Sequence, residues 1–195
     1  MKGYKKEIRR IDLTRISGAY LKTMYTVLLL LFFPFLLIRT KAVLFPILIE
    51  IPSLHIGVQF LLNLPLFTLI WIGGIVLHEL IHGAFFLLFT KKGLSAVKFG
   101  IMKKLPAPYC HCSKPIQVKH YLVVAVAPAL LLGIIPALYS FWIGSFGMLL
   151  FGCYFTLAGT GDFLMIKLLW KENRNDYVLD HPSELGYYLL KREEK

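Results

Sequence analysis

The run from Leu64 to Phe89 is apolar over a length sufficient for a transmembrane helix, and its only ionisable side chains are His78, Glu79 and His82. A charged group at the centre of a bilayer costs on the order of 3 kcal/mol on insertion scales, so three such residues within five positions need a partner that offsets the burial. Their order is H-E-x-x-H. Residues four apart share one face of a helix, so His78 and His82 can offer two imidazole nitrogens to a single ion, with Glu79 one step around it. This is the pattern of zinc hydrolases: two His and a carboxylate hold the metal, a water fills the open position with its pKa lowered to about 7, and the neighbouring Glu takes the proton as the water attacks a polarised carbonyl. The competing reading is a polar helix contact satisfied by hydrogen bonds alone.

A third ligand is required, and the acidic residues narrow the choice. No Asp or Glu lies between Glu79 and Asp162. Asp162 follows Gly159-Thr160-Gly161 late in the last apolar run, where an unpaired carboxylate is expensive and glycines permit close backbone approach. It is the first choice. The alternative for Asp162 is a surface position at a frayed helix end near Lys167, and the competing ligands are Glu50, His55, His111 and His120, all outside the expected spans.

Composition agrees with a membrane chain. Of the 195 residues 57% are hydrophobic and 17% charged, with a mean hydropathy of +0.65, which leaves no room for a sizeable soluble domain. The expected fold is an all-α polytopic membrane protein, a single membrane domain over residues 1–195 with about four transmembrane helices. The net charge of +11 sits in blocks flanking the apolar runs, so it reads as topology signal and contact with anionic headgroups rather than nucleic-acid binding.

In chain order, residues 1–23 are a basic cytoplasmic lead, read as a short amphipathic surface helix, and 24–38 are the first span, with Pro34 as a kink. Residues 42–63 stay apolar but carry Pro46, Pro52, Glu50, His55 and Gln59, which suits an interfacial or re-entrant segment. The second span, 64–89, holds the HExxH, with Gly74 one turn before His78 making room for another helix or a substrate. Residues 91–119 contain seven Lys and no acid, a basic cytoplasmic loop. Within it Val97, Phe99 and Ile101 alternate with Lys98, Gly100 and Met102, and Lys103-Lys104 could turn into a partner from Leu105 to Cys112. Such a hairpin could offer an edge to an extended substrate, making Val97, Phe99 and Ile101 weak substrate-binding candidates. The third span is 121–140, with Pro128 and Pro136 as kinks, and the fourth is 146–169, where glycines at 147, 152, 159 and 161 suggest tight packing against the HExxH helix. The tail, 171–195, is cytoplasmic, and Asp180-His181-Pro182-Ser183-Glu184 reads as the start of a short helix.

Cys110, Cys112 and Cys153 are too few for a disulfide framework and are expected to be reduced. Cys110-His111-Cys112 lacks the second pair of a zinc site, so it reads as a segment near the membrane surface, and His181 reads as structural.

These pieces carry a resemblance. An HExxH in one membrane helix and an Asp in a Gly-rich setting of a later one look like site-2 protease intramembrane metalloproteases. The chain resembles still more closely the family of small membrane proteins called putative zincin peptidases, in Gly74 to Gly83, in Pro108-Tyr109-Cys110 followed by Ala127-Pro128, and in Gly159-Thr160-Gly161-Asp162. That resemblance implies Zn2+, ligands at His78, His82 and Asp162, and Glu79 as the catalytic residue. Site-2 proteases carry Asn and Pro before their Asp and Gly after it, whereas Asp162 has neither upstream residue and is followed by Phe163, so substrate handling is not copied from that class.

The expected activity is a membrane-embedded zinc metallopeptidase acting on a membrane protein or peptide substrate, located in the plasma membrane of a prokaryote with both termini cytoplasmic. The alternative is a non-catalytic zinc-binding membrane protein, a metal carrier or an assembly partner. A transporter has no inverted repeat to support it.

Overall fold

The computed structural model describes residues 4–10, 18–38, 53–90, 93–101, 108–181 and 186–192. Glu50 with the first half of the segment expected at the interface, Lys91-Lys92, the Lys103-Lys104 turn and Pro182 to Glu184 lie outside the described residues.

The described residues are mostly helical, with a small amount of antiparallel sheet. Helix α1 is Gly18–Ile38. Helix α2, Ile56–Thr90, is one continuous element of 35 residues through Pro65. It starts eight residues before the expected span, so 56–63 is helix and not a separate interfacial piece. His55 explains the start: its carbonyl accepts from Val58 and Gln59, and its Nδ1 accepts from the Gly57 N–H at 3.2 Å, in the manner of a capping residue.

The chain continues through β2 (Val97–Ile101), β3 (Pro108–Cys112), the two-residue β4 (Ile116–Gln117) and α3 (Val118–Pro128). A π-helical segment, Ala129–Ile134, then leads into α4 (Ile135–Ile143). The expected kinks at Pro128 and Pro136 fall at the edges of this segment, where each proline removes one N–H from the helical ladder. Gly144, at φ 71°, closes α4, and α5 (Phe146–Ala158) and α6 (Thr160–Leu169) follow, interrupted at Gly159.

Among the described residues two continuous helices, Ile56–Thr90 and Val118–Ile143, are long and apolar enough to cross a membrane; α5 with α6 makes a third if the broken pair is one span, and Met24–Ile38 is a shorter apolar helix. Leu61, Leu62, Leu69, Ile72 and Leu80 of α2 are all at least half exposed in the protein. Water would penalise such a surface and acyl chains do not, so the chain is read as a membrane protein.

Both ends of the chain form strands instead of the expected helices. Strand β1, Tyr4–Arg10, pairs antiparallel with β6, Gly186–Arg192, which pairs with β5, Tyr177–Asp180, giving the sheet order β1-β6-β5-β4. The helix expected from Asp180 onwards fails because the apolar side chains follow a period of two: Tyr187 and Leu189 point into the core while Tyr188 does not. β1 has no strand signal of its own and is ordered by pairing with β6, from Tyr4↔Arg192 to Arg10↔Gly186. The hairpin expected from the 97–112 alternation is present, with Phe99 opposite Cys110.

The contacts group the chain into two compact units. One contains Met1–Ile16, Leu77–Pro128 and Gly159–Lys195, hence the sheets, α3, α6 and the end of α2 that carries the HExxH. Its core joins Phe86, Val118, Leu122, Leu169, Val178, Tyr187 and Leu189. The other contains Ser17–Val76 and Ala129–Ala158. There Phe35 packs on Ala137 and Leu149, and the space beside Gly74 is filled by the ring of Phe155.

Candidate metal centre

HExxH places His78 and His82 one turn apart on α2, both buried, with ring centroids 4.9 Å apart. Asp162, in the first turn of α6, faces both: its Oδ2 lies 3.2 Å from His78 Nε2 and its Oδ1 lies 3.2 Å from His82 Nε2. One ligand atom from each residue can be chosen so that all lie within 4.8 Å of one another, and among the described residues this is the one such group of three His, Cys, Asp or Glu side chains.

The chemistry of this donor set fits a cation. A carbonyl oxygen only accepts, so the 3.1 Å contact between His82 Nδ1 and the carbonyl of Val124 puts the proton on Nδ1 of the neutral ring. Nε2 is then a bare lone pair directed at a carboxylate oxygen, an arrangement that calls for positive charge between them. Two imidazole nitrogens and one carboxylate are a donor set that zinc takes, and His78, His82 and Asp162 would hold it. His78 differs from His82, since its Nδ1 is buried without a hydrogen-bond partner among the described residues.

Glu79 is half-buried beside these three groups, and its carboxylate lies near the main-chain N–H of Cys110 in β3. The next outward N–H along that strand, at Cys112, goes to Asp180 Oδ2 at 2.8 Å. Both groups therefore point away from β2, and by the alternation of an antiparallel pair Val97, Phe99 and Ile101 turn their main-chain groups to the opposite edge. The three substrate-binding candidates thus lie on β2, the partner of the strand that turns its N–H groups toward Glu79 and Asp180. Phe99 has a packing role, for its ring lies where a side chain on Gly83 would be, with a Cβ there meeting Phe99 Cζ at 2.5 Å.

Asp180 anchors this region. Its Oδ1 accepts from the Tyr121 hydroxyl at 2.5 Å, and His111 Nδ1 lies 3.8 Å from Oδ2. Burial pushes the Asp180 carboxyl above its ordinary range, against the Cys112 N–H, the Tyr121 hydroxyl and His111, which draw it down. Cys110, Cys112 and Cys153 are free, and burial pushes the Cys112 thiol up to about 11. The other candidate ligands sit elsewhere: His55 caps α2, His120 stacks on Phe89 with centroids 4.5 Å apart, and His181 packs on Tyr188.

The helical HExxH pair of α2 thus faces one carboxylate carried by another helix, α6. A family model described as "Putative zincin peptidase" matches residues 71–177, more than half of the chain, from just before the HExxH to β5. The chain belongs to that family, and the family implies zinc as the cofactor and metallopeptidase activity at the level of class. No curated protein and no solved structure matches the chain.

Proposed function

We propose that the protein is an intramembrane zinc metalloendopeptidase that cleaves a membrane-associated polypeptide near the cytoplasmic face. The observation that carries this reading is the convergence of His78 Nε2 and His82 Nε2 on the two oxygens of Asp162, with Glu79 adjacent on the same helix. His78, His82 and Asp162 would hold zinc, and zinc when bound supplies Lewis acidity, polarising a carbonyl and acidifying water.

The remaining chemistry falls to the chain's own groups. Glu79 accepts the proton of the attacking water and passes it to the leaving amine nitrogen as the C–N bond breaks, so that one water is consumed and a carboxylate and an amine are formed. Glu79 lies near the Cys110 N–H before substrate arrives. An extended substrate pairing along the same edge of β3 would take that N–H, leaving the carboxylate for proton transfer beside the bond to be cut. The lysines of residues 91–119 support a cytoplasmic placement of the hairpin and contact with anionic headgroups.

The test is elemental analysis of the detergent-purified chain beside Glu79→Gln, His82→Ala and Asp162→Ala. About one zinc per chain is expected in the wild type and in Glu79→Gln, and a loss of zinc in the other two. Cleavage of a reconstituted membrane substrate is expected to disappear in Glu79→Gln. Wild-type cleavage by that variant would remove the peptidase assignment and leave a structural zinc site.

A further inference from the structure

The acceptor that fixes His82 is an unusual one. Within an α-helix each carbonyl is normally taken by the N–H four residues on. For Val124 that residue is Pro128, which has no N–H. Val124 and Pro128 are both buried, so the carbonyl is left without its helical donor in a place where water is scarce. His82 Nδ1 supplies the missing hydrogen bond at 3.1 Å. The π-helical segment begins at the next residue, Ala129, so the ladder is interrupted at this point and nowhere earlier in α3.

We propose that Pro128 is a positioning residue of the metal centre: by withholding an N–H it reserves the Val124 carbonyl for His82, which locks the ring as the Nδ1–H tautomer with Nε2 facing Asp162. This rests on the reading of His78, His82 and Asp162 as the zinc ligands. The arrangement serves two needs with one bond. A buried main-chain acceptor gains a donor, and a ligand imidazole gains the outer partner that orients it. His78 has no such partner among the described residues, so the orientation of the pair depends on His82.

The experiment compares the full-length wild type, Pro128→Ala, and an analogue with lactic acid at position 128, whose ester link lacks an N–H as proline does. Zinc affinity is measured by chelator competition at fixed pH in detergent. The alanine variant restores an N–H that competes for Val124, and its affinity is expected to fall 10–100-fold, the range for losing an outer partner. The ester analogue is expected to stay within a few-fold of wild type. Equal affinity in all three proteins, or an equal fall in both substituted ones, would overturn the proposal, the second because it would assign the effect to the proline ring and its kink. Imidazole 15N shifts of the metal-free proteins separate this from the zinc reading. His82 is expected as Nδ1–H in the wild type and the ester analogue, with a shift toward Nε2–H in Pro128→Ala. If the wild type binds no zinc yet shows that pattern, the zinc reading fails and the backbone device stands; an unchanged tautomer in the alanine variant removes the device.

Discussion

Asp180 shows how a single residue can tie distant parts of this chain to the site. Its two oxygens hold the Tyr121 hydroxyl and the Cys112 N–H, linking β5 to α3 and to the strand whose preceding outward N–H lies near Glu79. Truncation would leave two buried donors unpaired at roughly 1–3 kcal/mol each. Asp180→Ala is therefore expected to lower the thermal midpoint by several degrees in a fluorimetric melt and to reduce cleavage. Cys112 gives a second prediction. Burial holds its thiol near 11 against 9.0 for an ordinary one, so at pH 8 it has roughly a hundredfold less thiolate and should alkylate with iodoacetamide correspondingly slowly until the protein is unfolded. Because the folded value is the higher, the unfolded chain loses its proton first, and this contribution to stability is complete below pH 9 and lost as pH rises toward 11. At this scale the meeting of Asp162 with the two histidines was legible, since acids are absent between Glu79 and Asp162 and apolar surroundings demand a partner for a charge. Val124, Cys110 and Asp180 were not: the first two act through main-chain atoms, which carry no residue code, and Asp180 acts on groups 59 and 68 positions away.

At the scale of elements, the long apolar helices were legible from composition and the ends of the chain were not. Strands β1 and β6 stabilise one another across nearly the whole sequence, and a local reading has no access to that pairing. The glycines of the last apolar run divide in an informative way. Gly152 does pack closely, yet against the helix before it: a Cβ there would lie 2.5 Å from the Ala137 nitrogen and 2.6 Å from the Gly133 carbonyl oxygen. Gly133 is as tight, with Thr156 Oγ1 at 2.5 Å and its main-chain nitrogen at 2.8 Å. Gly161, adjacent to Asp162, has nothing within 4 Å of its Cβ position among the described residues. Small-residue content in a span thus locates close helix contacts without naming the partner. Backbone atoms cannot move aside as side-chain tips can, so Gly152→Ala is expected to destabilise by about 1–3 kcal/mol in a reversible unfolding assay. Gly161→Ala, by contrast, should be neutral or slightly stabilising, as alanine is the better helix former.

At the scale of the molecule, the sheet constrains how the chain can thread a bilayer. Strands β1, β6, β5 and β4 share one sheet, so residues 4–10, 116–117, 177–180 and 186–192 lie on one side of the membrane. Crossings between β1 and β4 must then be even in number. If α2 crosses, so does a segment between residues 11 and 55, and α1, about 31 Å long at 1.5 Å per residue, is the described apolar helix available there. The same parity applies between β4 and β5: a crossing by Val118–Ile143 has to be matched, and α5 with α6 is the element that can match it despite the break at Gly159. Four crossings would satisfy the sheet, and by the positive-inside rule the basic residues flanking it predict that this side is the cytoplasmic one. Single cysteines at Ser145, in the turn between α4 and α5, and at Asn175, exposed just before β5, test this directly. With a membrane-impermeant maleimide on intact cells, Ser145→Cys should label above the level of the unsubstituted chain, and Asn175→Cys should label only after lysis. Reversed labelling would keep the four crossings and invert the protein, placing the β2–β3 hairpin outside. Identical behaviour at the two positions would mean that α5 and α6 together do not cross, and by parity that the chain between Gln117 and Ser145 does not cross either.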